Sequence, residues 1–393
     1  MMCATMDNRI PQATPAGRPS RAAAEEGTPL KVIIAGGGTG GHLFPGIAIA
    51  EAFRRRSRAT EILFVGTERG LEKRVLGPLG FRLRTLDVEG IKGRGLRNKL
   101  RAVSKLPGSL LAAWRIVRSF APDLVVGVGG YSSGPAVLAA ALLGIPTAVA
   151  EQNAVPGTTN RILGRFADRI FLSFRDDANV FAPRKSRITG NPIRSAFLAD
   201  GDAQERTDGR FSVLIFGGSQ GARAINAAVL AALDGLADIR DALRIVHQTG
   251  EREREEVERA YRAKGFAAEV LPFIADMPAA FRAADLVICR AGATSIAELT
   301  ASGKAAILIP FPFAVADHQT KNARVLAEAG AAEMVRESDL TGERLAGLIR
   351  RYRERPGARK EMEERARKLG NPDAADDIVK ECVALAQRKR SRS

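Results

Sequence analysis

A histidine stands beside a glycine-rich turn near the start of the chain. The stretch AGGGTGGHLFPG, residues 35–46, follows an apolar run and places five glycines before His42, one of three histidines in 393 residues. Glycines at a strand-to-helix turn let the backbone approach a ligand closely, and the N–H groups at a helix start bind phosphate oxygens. Imidazole accepts a proton near neutral pH. The pattern predicts a phosphate site with His42 as candidate general base, or else as a histidine that only hydrogen-bonds backbone or diphosphate.

A second glycine turn, FGGSQGARAIN at residues 216–226, repeats the arrangement. No lysine follows either turn as a P-loop requires, and Glu61 and Glu68 are poorly placed for the ribose contact of a dinucleotide enzyme. Close packing would explain one such turn. Because ligands of open α/β sheets bind at the carboxyl ends of the strands, two turns predict one crevice between two domains.

Polar residues follow several predicted strands, where they would line that crevice. They are Glu151, Gln152, Asn153, Arg194, Ser219, Gln220, Asp317, His318 and Gln319. Together they predict a polar, phosphate-bearing ligand, although each alone is also explained as a loop residue that bonds its neighbours.

Short β-rich runs alternate with helical stretches, which predicts parallel sheets covered by helices on both faces. The runs are KVIIAG, EILFVG, DLVVGVG, TAVAEQN and RIFLSF, then FSVLIFGG, LRIVHQTG, AEVLPFI, DLVICRAG and AAILIPF. We therefore predict an α/β protein with a disordered leader (1–30), two Rossmann-like domains (31–194 and 195–372) and a C-terminal helix (373–388) that returns to the first domain. Asn371 and Pro372 predict the cap and first turn of that helix.

Basic charge is concentrated in one half of the chain. Residues 31–194 hold 26 Lys and Arg against 11 Asp and Glu, whereas residues 195–393 hold 31 against 30. Such a surface attracts nucleic acid or an anionic membrane leaflet, or is simply solvated. Aromatic residues make up 5% and no zinc-finger or RNP-like pattern occurs, which argues against nucleic acid.

Three widely spaced cysteines and the lack of a signal-peptide pattern are typical of a cytoplasmic protein.

Two further stretches bear on the membrane. Residues 92–118 carry eight basic residues and no acidic one among leucines and Trp114, the pattern of a segment lying on a membrane or of a buried helix with solvated cations. Residues 124–150 carry no charge, but Pro135 and Pro146 divide them into strand, turn, helix and strand rather than a membrane span.

Glu298 has two explanations. Ser295 and Glu298 have the spacing of a capping box, which on the residues alone favours a structural role.

A resemblance to a known family rests on six stretches that occur in this order: GGGTGGHLFPGIAIAE, GVGGYSSGPAVLAA, EQNAVPGTTNRILGRFAD, TGNPIR, FGGSQGARAIN and RAGATSIAELTASGKAAILIPFPFAVADHQTKNA. Together they resemble the MurG family of N-acetylglucosaminyltransferases, in glycosyltransferase family 28, over about residues 31–388. The resemblance implies a GT-B fold, in which the parallel sheets of two Rossmann-like domains face an interdomain cleft. It also implies UDP-N-acetylglucosamine (UDP-GlcNAc) as donor and the undecaprenyl-linked muramoyl-pentapeptide lipid I as acceptor.

The resemblance assigns roles to the matching positions. Thr39, Gly40 and Gly41 would lie by the reacting sugar and the acceptor diphosphate, Asn153 at the donor sugar, Arg194 and Ser219 at the donor diphosphate, Ile274 at the uracil, Ala293 and Thr294 in the donor site, Glu298 at the ribose hydroxyls, and Gln319 at the GlcNAc hydroxyls. It therefore favours a ligand role for Glu298, which the capping role need not exclude.

The implied reaction is a single inverting displacement, which needs one base. His42 is the first candidate and Glu151 the second. Arg194 and the N–H groups of the second glycine turn would stabilise the departing UDP, so no metal or other cofactor is expected, and Asp200-Gly-Asp202 is interpreted as a turn.

The expected partners are the two substrates, the anionic inner leaflet at the cytoplasmic face of the plasma membrane, and proteins of cell-wall or division complexes, without nucleic acid. The alternatives left open are a GT-B enzyme with another lipid acceptor, an NAD-dependent oxidoreductase and a basic nucleic-acid-binding protein.

Overall fold

The structure is a computed structural model that describes residues 28–68, 71–88, 104–176, 178–198, 209–218 and 220–391. Most of the predicted leader and the predicted turn at Asp200-Gly-Asp202 lie outside these ranges. Leu30, which the prediction included in the leader, is 3% exposed and packs in the first hydrophobic core. The ordered core therefore begins before residue 31.

The first sheet consists of seven parallel strands. They are β1 (Lys31–Ala35), β2 (Glu61–Thr67), β3 (Arg82–Leu86), β4 (Leu124–Gly127), β5 (Thr147–Glu151), β6 (Arg169–Leu172) and β7 (Ser186–Ile188). Their order is β3-β2-β1-β4-β5-β6-β7, so that β1 pairs with β2 and β4 at the centre. Val32 and Ile34 face one core whereas Ile33 and Ala35 face another. Because both faces of the sheet are covered, its central strands are continuously apolar, as predicted.

The second sheet repeats this arrangement with six parallel strands. They are β8 (Phe211–Phe216), β9 (Leu243–Gln248), β10 (Ala268–Leu271), β11 (Leu286–Cys289), β12 (Ala306–Leu308) and β13 (Glu333–Met334), in the order β10-β9-β8-β11-β12-β13. Val213 and Ile215 face one core, and Leu214 and Phe216 face the other. The predicted α/β class with two Rossmann-like domains is confirmed.

Helices connect the strands and cover the sheets. They are α1 (Gly40–Arg56), α2 (Glu72–Leu76), α3 (Leu106–Phe120), α4 (Ser133–Leu142), α5 (Thr158–Leu163), α6 (Arg223–Ala232), α7 (Arg254–Ala263), α8 (Met277–Ala283), α9 (Ala293–Ser302), α10 (His318–Glu328), α11 (Gly342–Glu354), α12 (Pro356–Leu369) and α13 (Ala374–Arg390). The uncharged stretch 124–150 forms β4, α4 and β5, as its prolines predicted. In the part of the chain that the structure describes, no helix is both long and apolar enough to cross a bilayer.

The last helix, α13, packs on the first domain. Ile378, Val379, Cys382 and Val383 are buried in the core that also holds β1 and α1. The helix begins later than predicted, with Asp373 in the capping position. Asn371 lies two residues before that position, but its side-chain oxygen accepts the Asp373 N–H at 3.2 Å, which is a capping-type bond. Its amide donates to the Thr189 carbonyl at 2.7 Å and so joins this end of α13 to the segment after β7.

Three strands were not predicted from the sequence. In β3, arginines alternate with apolar residues at one edge of the first sheet, and β7 and β13, of three and two residues, lie at the other edges of the two sheets. Edge strands are often short or charged, which hinders pairing of their free backbone groups with another chain. Such strands give only a weak hydrophobic signal.

Candidate functional site in the cleft between the domains

The first glycine turn is shaped largely by packing within the protein. A Cβ on Gly36 would lie 2.4 Å from the Gly129 carbonyl oxygen, and one on Gly37 would lie 2.2 Å from the Glu72 carboxylate. At Gly38 there is open space, but a φ of 87° disfavours any side chain. Two of the glycines that suggested a ligand are therefore needed for close contact with other protein groups.

Helix α1 begins immediately after this turn. Thr39 is the N-cap, and its carbonyl accepts the N–H groups of His42 at 3.2 Å and Leu43 at 3.1 Å. The amides of Gly40 and Gly41 belong to the first turn, where no intrahelical acceptor exists. Thr39 and Gly41 are exposed. The helix start thus offers N–H groups and its positive dipole end to an anionic ligand.

His42 is held in one orientation. Gln152 donates from Nε2 to the Ala150 carbonyl at 3.1 Å, and this bond directs its Oε1 toward His42 Nδ1, 3.2 Å away. Since an amide oxygen only accepts, the neutral imidazole carries its proton on Nδ1 and keeps a lone pair on Nε2. The ring also packs on Gly129, where a Cβ would lie 2.6 Å from Nδ1. The arrangement suits a base that accepts a proton at Nε2.

Glu151, the second candidate base, is 2% exposed and saturated with hydrogen bonds. Its Oε1 accepts from the Asn153 backbone N–H and side-chain amide at 3.0 and 3.3 Å. Its Oε2 accepts from the Gly157 N–H and the Asn160 amide, both at 2.9 Å. A carboxylate has about four acceptor sites, and all of them are engaged. This geometry fits a group that holds the loop after β5 better than it fits a base, and it ties the side chain of Asn153 to that loop.

Arg194 and Glu298 form an ion pair between the domain junction and α9. Arg194 Nη2 lies 3.0 Å from Glu298 Oε1, and the two side chains are 16% and 7% exposed. The guanidinium also lies over the rings of Phe44 and Phe197, 4.2 and 4.9 Å from their centroids. Burial raises the pKa of Glu298, and the charge of Arg194 opposes that rise. In this structure the residues predicted to bind the donor's diphosphate and ribose bind each other.

Helix α9 meets the start of α1. It begins at Ala293 with Gly292 as N-cap, so the capping box predicted from Ser295 and Glu298 is wrong. The hydroxyl of Thr294 donates to the Gly41 carbonyl at 3.2 Å. This contact brings a predicted donor residue of the second domain against the first glycine turn.

The second glycine turn is linked to the predicted uracil position by Gln248. This residue is 1% exposed; its Nε2 donates to the Gly218 carbonyl at 2.7 Å and its Oε1 accepts the Ile274 N–H at 2.8 Å. Ser219 itself lies outside the described residues. Gln248 thus sets the spacing between two loops of the second domain.

Gln319 lies near the start of α10. Its Oε1 accepts the Phe311 N–H at 3.0 Å, which leaves its amide nitrogen as the group for a ligand hydroxyl. One turn later, the fully buried Asn322 accepts the Ala154 N–H at 3.2 Å and donates to the Ala291 carbonyl at 3.3 Å. The loop after β5 is therefore bonded to the second domain.

The structure brings together some of the predicted residues and not others. Gly41 contacts Thr294, and Arg194 contacts Glu298, whereas Ile274 and Gln319 bond to other loops. Sequence reasoning missed the hydrogen bonds by which Glu72, Gln152, Gln248 and Asn322 join separate segments. Gln152, next to Glu151 at the end of β5, carried a usable signal, while the others depend on contacts distant in sequence. Within the described ranges, no group of three or more His, Cys, Asp or Glu side chains is arranged to hold a metal ion.

Two Rossmann-like domains, with glycine turns and polar residues at the carboxyl ends of their strands, define the GT-B class. Comparison with known proteins gives the family. Residues 32–172 match the glycosyltransferase family 28 N-terminal domain, and residues 212–378 match the glycosyltransferase family 28 C-terminal domain. The chain belongs to glycosyltransferase family 28 and is a glycosyltransferase.

Individual relatives agree with this placement. A protein of Syntrophus aciditrophicus, described as UDP-N-acetylglucosamine–N-acetylmuramyl-(pentapeptide) pyrophosphoryl-undecaprenol N-acetylglucosamine transferase, is 60% identical over 356 residues, which cover 91% of this chain and 99% of that protein. A Myxococcus xanthus protein with the same description is 51% identical over 356 residues, 91% of this chain and 93% of its own. The crystal structure of Acinetobacter baumannii MurG is similar with a TM-score of 0.69 at 34% identity, over 92% of this chain and all of that one.

Proposed function

We propose that this glycosyltransferase transfers N-acetylglucosamine from UDP-GlcNAc to the 4-hydroxyl of N-acetylmuramic acid in lipid I. The products are lipid II, with a β-1,4 bond, and UDP, and the reaction belongs to peptidoglycan synthesis. One observation carries the proposal: the 60% identity over 356 residues to a transferase described by this donor and acceptor.

The chemical step is one displacement at the anomeric carbon of the donor. The muramoyl 4-oxygen forms a bond to that carbon as the bond to the UDP oxygen breaks, and the configuration inverts. The hydroxyl proton passes to His42 Nε2, the nitrogen left unprotonated by the bond to Gln152. Glu151, with its acceptor sites engaged, holds the loop that carries Asn153. The amides of Gly40 and Gly41 face the acceptor diphosphate.

Donor binding separates Arg194 from Glu298. The ribose hydroxyls donate to the Glu298 carboxylate, and the guanidinium moves to the diphosphate, where it stabilises charge on the departing UDP. The guanidinium gains the negative charge of the diphosphate and the carboxylate gains two hydroxyl donors, so neither side chain is left without a partner. Ser219, Ala293, Thr294, Ile274 and Gln319 complete the proposed donor site.

We assign helix α3, with its exposed leucines, to the membrane surface. Leu106 and Leu111 are 44% and 51% exposed, and Arg115 and Arg118 follow on the same helix. Residues 92–103, which hold five of the eight basic residues of this stretch, lie outside the described ranges. Exposed leucines beside cations suit a surface-lying segment at an anionic leaflet, which would hold the enzyme where its lipid acceptor resides.

Transfer of radiolabel from UDP-GlcNAc to lipid I tests the proposed reaction. We expect labelled lipid II and an equal amount of UDP, with turnover retained after EDTA treatment and dialysis. If turnover is lost and Mg²⁺ restores it, the metal-independent mechanism is wrong, but the proposed donor and acceptor are unaffected.

A further inference from the structure

A buried carboxylate lies beneath the first glycine turn. Glu72, the first residue of α2, has no exposed surface. Its Oε1 accepts the Gly38 N–H at 2.9 Å, the Thr67 N–H at 3.1 Å and the Thr67 hydroxyl at 3.4 Å. One oxygen atom thus joins the turn after β1 to the end of β2.

Two glycines make room for this side chain. A Cβ on Gly37 would lie 2.2 Å from Glu72 Oε1, and one on Gly66 would lie 2.8 Å from the same atom. Only backbone without side chains lets the carboxylate reach Gly38. The glycines at these two positions and Glu72 form one packed unit.

Only one of the two carboxylate oxygens of Glu72 is compensated. Its Oε2 is buried without a hydrogen-bond partner, and among the described residues no lysine or arginine forms an ion pair with it. A buried carboxylate with such partners costs stability relative to an apolar side chain of similar size. Its contacts with described residues are the bonds to Gly38 and Thr67, so what these contacts supply is the geometry of the turn.

We propose that Glu72 is a positioning residue for catalysis. By fixing the Gly38 amide, it sets the path of the turn directly before Thr39, so that the amides of Gly40 and Gly41 and the ring of His42 are already placed for the acceptor. The role rests on the proposed function, in which this turn faces the acceptor diphosphate. Glu72 acts through the backbone and touches no reacting atom.

Three variants separate hydrogen bonding from charge. Glu72→Gln keeps an acceptor oxygen at the same reach but loses the charge. Glu72→Asp keeps the charge but is one methylene too short to reach Gly38. Glu72→Ala loses both. Leu76→Ala is the matched control, because Leu76 is a fully buried residue one turn along the same helix that packs in the hydrophobic core and has no hydrogen-bonding side chain.

The measurements are the melting temperature, the Kd for UDP-GlcNAc, and kcat and KM for lipid I. For Glu72→Ala and Glu72→Asp we expect kcat/KM for lipid I to fall at least tenfold while the donor Kd stays within twofold. For Glu72→Gln we expect kcat/KM within about threefold of the parent. Leu76→Ala should lower the melting temperature and leave kcat/KM of the folded enzyme unchanged.

Deuterium exchange gives a second readout that does not depend on activity. Peptides covering residues 36–43 should exchange faster in Glu72→Ala and Glu72→Asp than in the parent and in Glu72→Gln. If Glu72→Asp equals the parent in both exchange and kcat/KM, or if Leu76→Ala reproduces the kinetic loss of Glu72→Ala, the positioning role is wrong. Failure of the parent enzyme to use lipid I would instead overturn the proposed function, and the exchange result would still report on the turn.

Discussion

His42 and Gln152 show how a single hydrogen bond defines a candidate base. The Gln152 amide is oriented by the Ala150 carbonyl, and it in turn fixes the proton of His42 on Nδ1. The sequence suggested His42 by its position alone, and it left open whether the ring acts as a base. The predicted proton acceptor is now a specific atom, Nε2.

Replacing His42 by alanine should lower kcat by about 10²-fold or more, the usual contribution of general base catalysis. The Kd for UDP-GlcNAc should stay within a few fold, because the proposed role concerns the acceptor hydroxyl. Gln152→Ala is the companion variant, and it should lose less activity because the imidazole remains. A His42→Ala enzyme that transfers at the normal rate would remove His42 from the base role.

Replacing Glu298 should change both the stability of the enzyme and its affinity for UDP-GlcNAc, and the two effects can be measured separately. Glu298→Ala should destabilise the enzyme by about 3 kcal/mol, since it leaves the buried guanidinium unpaired. It should also raise the Kd for UDP-GlcNAc at least tenfold through loss of a charge-assisted acceptor. Denaturant unfolding and calorimetric titration measure the two effects.

The double variant Arg194→Ala, Glu298→Ala is the control for that experiment. It should be less destabilised than the sum of the single changes, because neither charge is then left alone. Strict additivity of the two changes would show that the pair contributes nothing, and an unchanged donor Kd in Glu298→Ala would exclude Glu298 from the ribose site.

Strand β9 and helices α6 and α7 share a buried polar network at the centre of the second domain. His247 Nδ1 lies 3.0 Å from the Tyr261 hydroxyl, and its Nε2 lies 3.1 Å from the Asn226 side-chain oxygen. Burial lowers the pKa of His247 to about 3. The imidazole is therefore neutral in the folded protein throughout the physiological range.

This network predicts a specific pH dependence of stability. The unfolded chain binds a proton at His247 below about pH 6.5, whereas the folded chain binds it only near pH 3. The stability contributed by the neutral ring is present in full above pH 6.5 and is lost as the pH falls toward 3, by at most about 1.4 kcal/mol per pH unit. Between pH 6.5 and 5, His247→Gln should show a shallower decline in unfolding free energy than the parent. Equal slopes for both proteins would contradict the assignment.

The exposed leucines of helix α3 predict how the enzyme binds to lipid vesicles. Changing Leu106 and Leu111 to asparagine should weaken binding to vesicles that contain anionic lipid, because both leucines are exposed. Binding of the parent should also weaken with salt. Leu369→Asn, an exposed leucine of the second domain, is the matched control and should bind as the parent does. If the parent binds neutral vesicles as strongly as anionic ones, electrostatic attraction does not contribute to membrane binding.

At the scale of the whole molecule, the sequence predicted the two sheets better than it predicted the site. All ten predicted runs form strands. Nine of them are central strands, which are largely apolar in a covered parallel sheet, and the tenth, β10, is an edge strand. The other three edge strands, β3, β7 and β13, were not predicted, because their charged residues or short length give little hydrophobic periodicity.

The site was only partly predictable because its organising contacts join residues far apart in the chain. Glu72 lies 34 residues from Gly38, and Asn322 lies 168 residues from Ala154. No local pattern encodes such a contact. The sequence shows glycines at positions 36 and 37. Only the structure shows why no larger residue fits there, because these glycines pack closely on Gly129 and Glu72.

The two domains are joined by more than the chain between them. Helix α13 packs in the first core, Asn371 bonds to the segment after β7, and Thr294 and Asn322 reach the first domain from the second. These contacts place the start of α1 against the start of α9, and both helix starts belong to the candidate site.

Transfer of labelled GlcNAc to lipid I, carried out with the purified parent enzyme, is the decisive measurement. We expect one labelled lipid product with a β-1,4 linkage and one UDP released for each GlcNAc transferred. Release of UDP without labelled lipid, or transfer only to a different lipid acceptor, would contradict the proposed reaction.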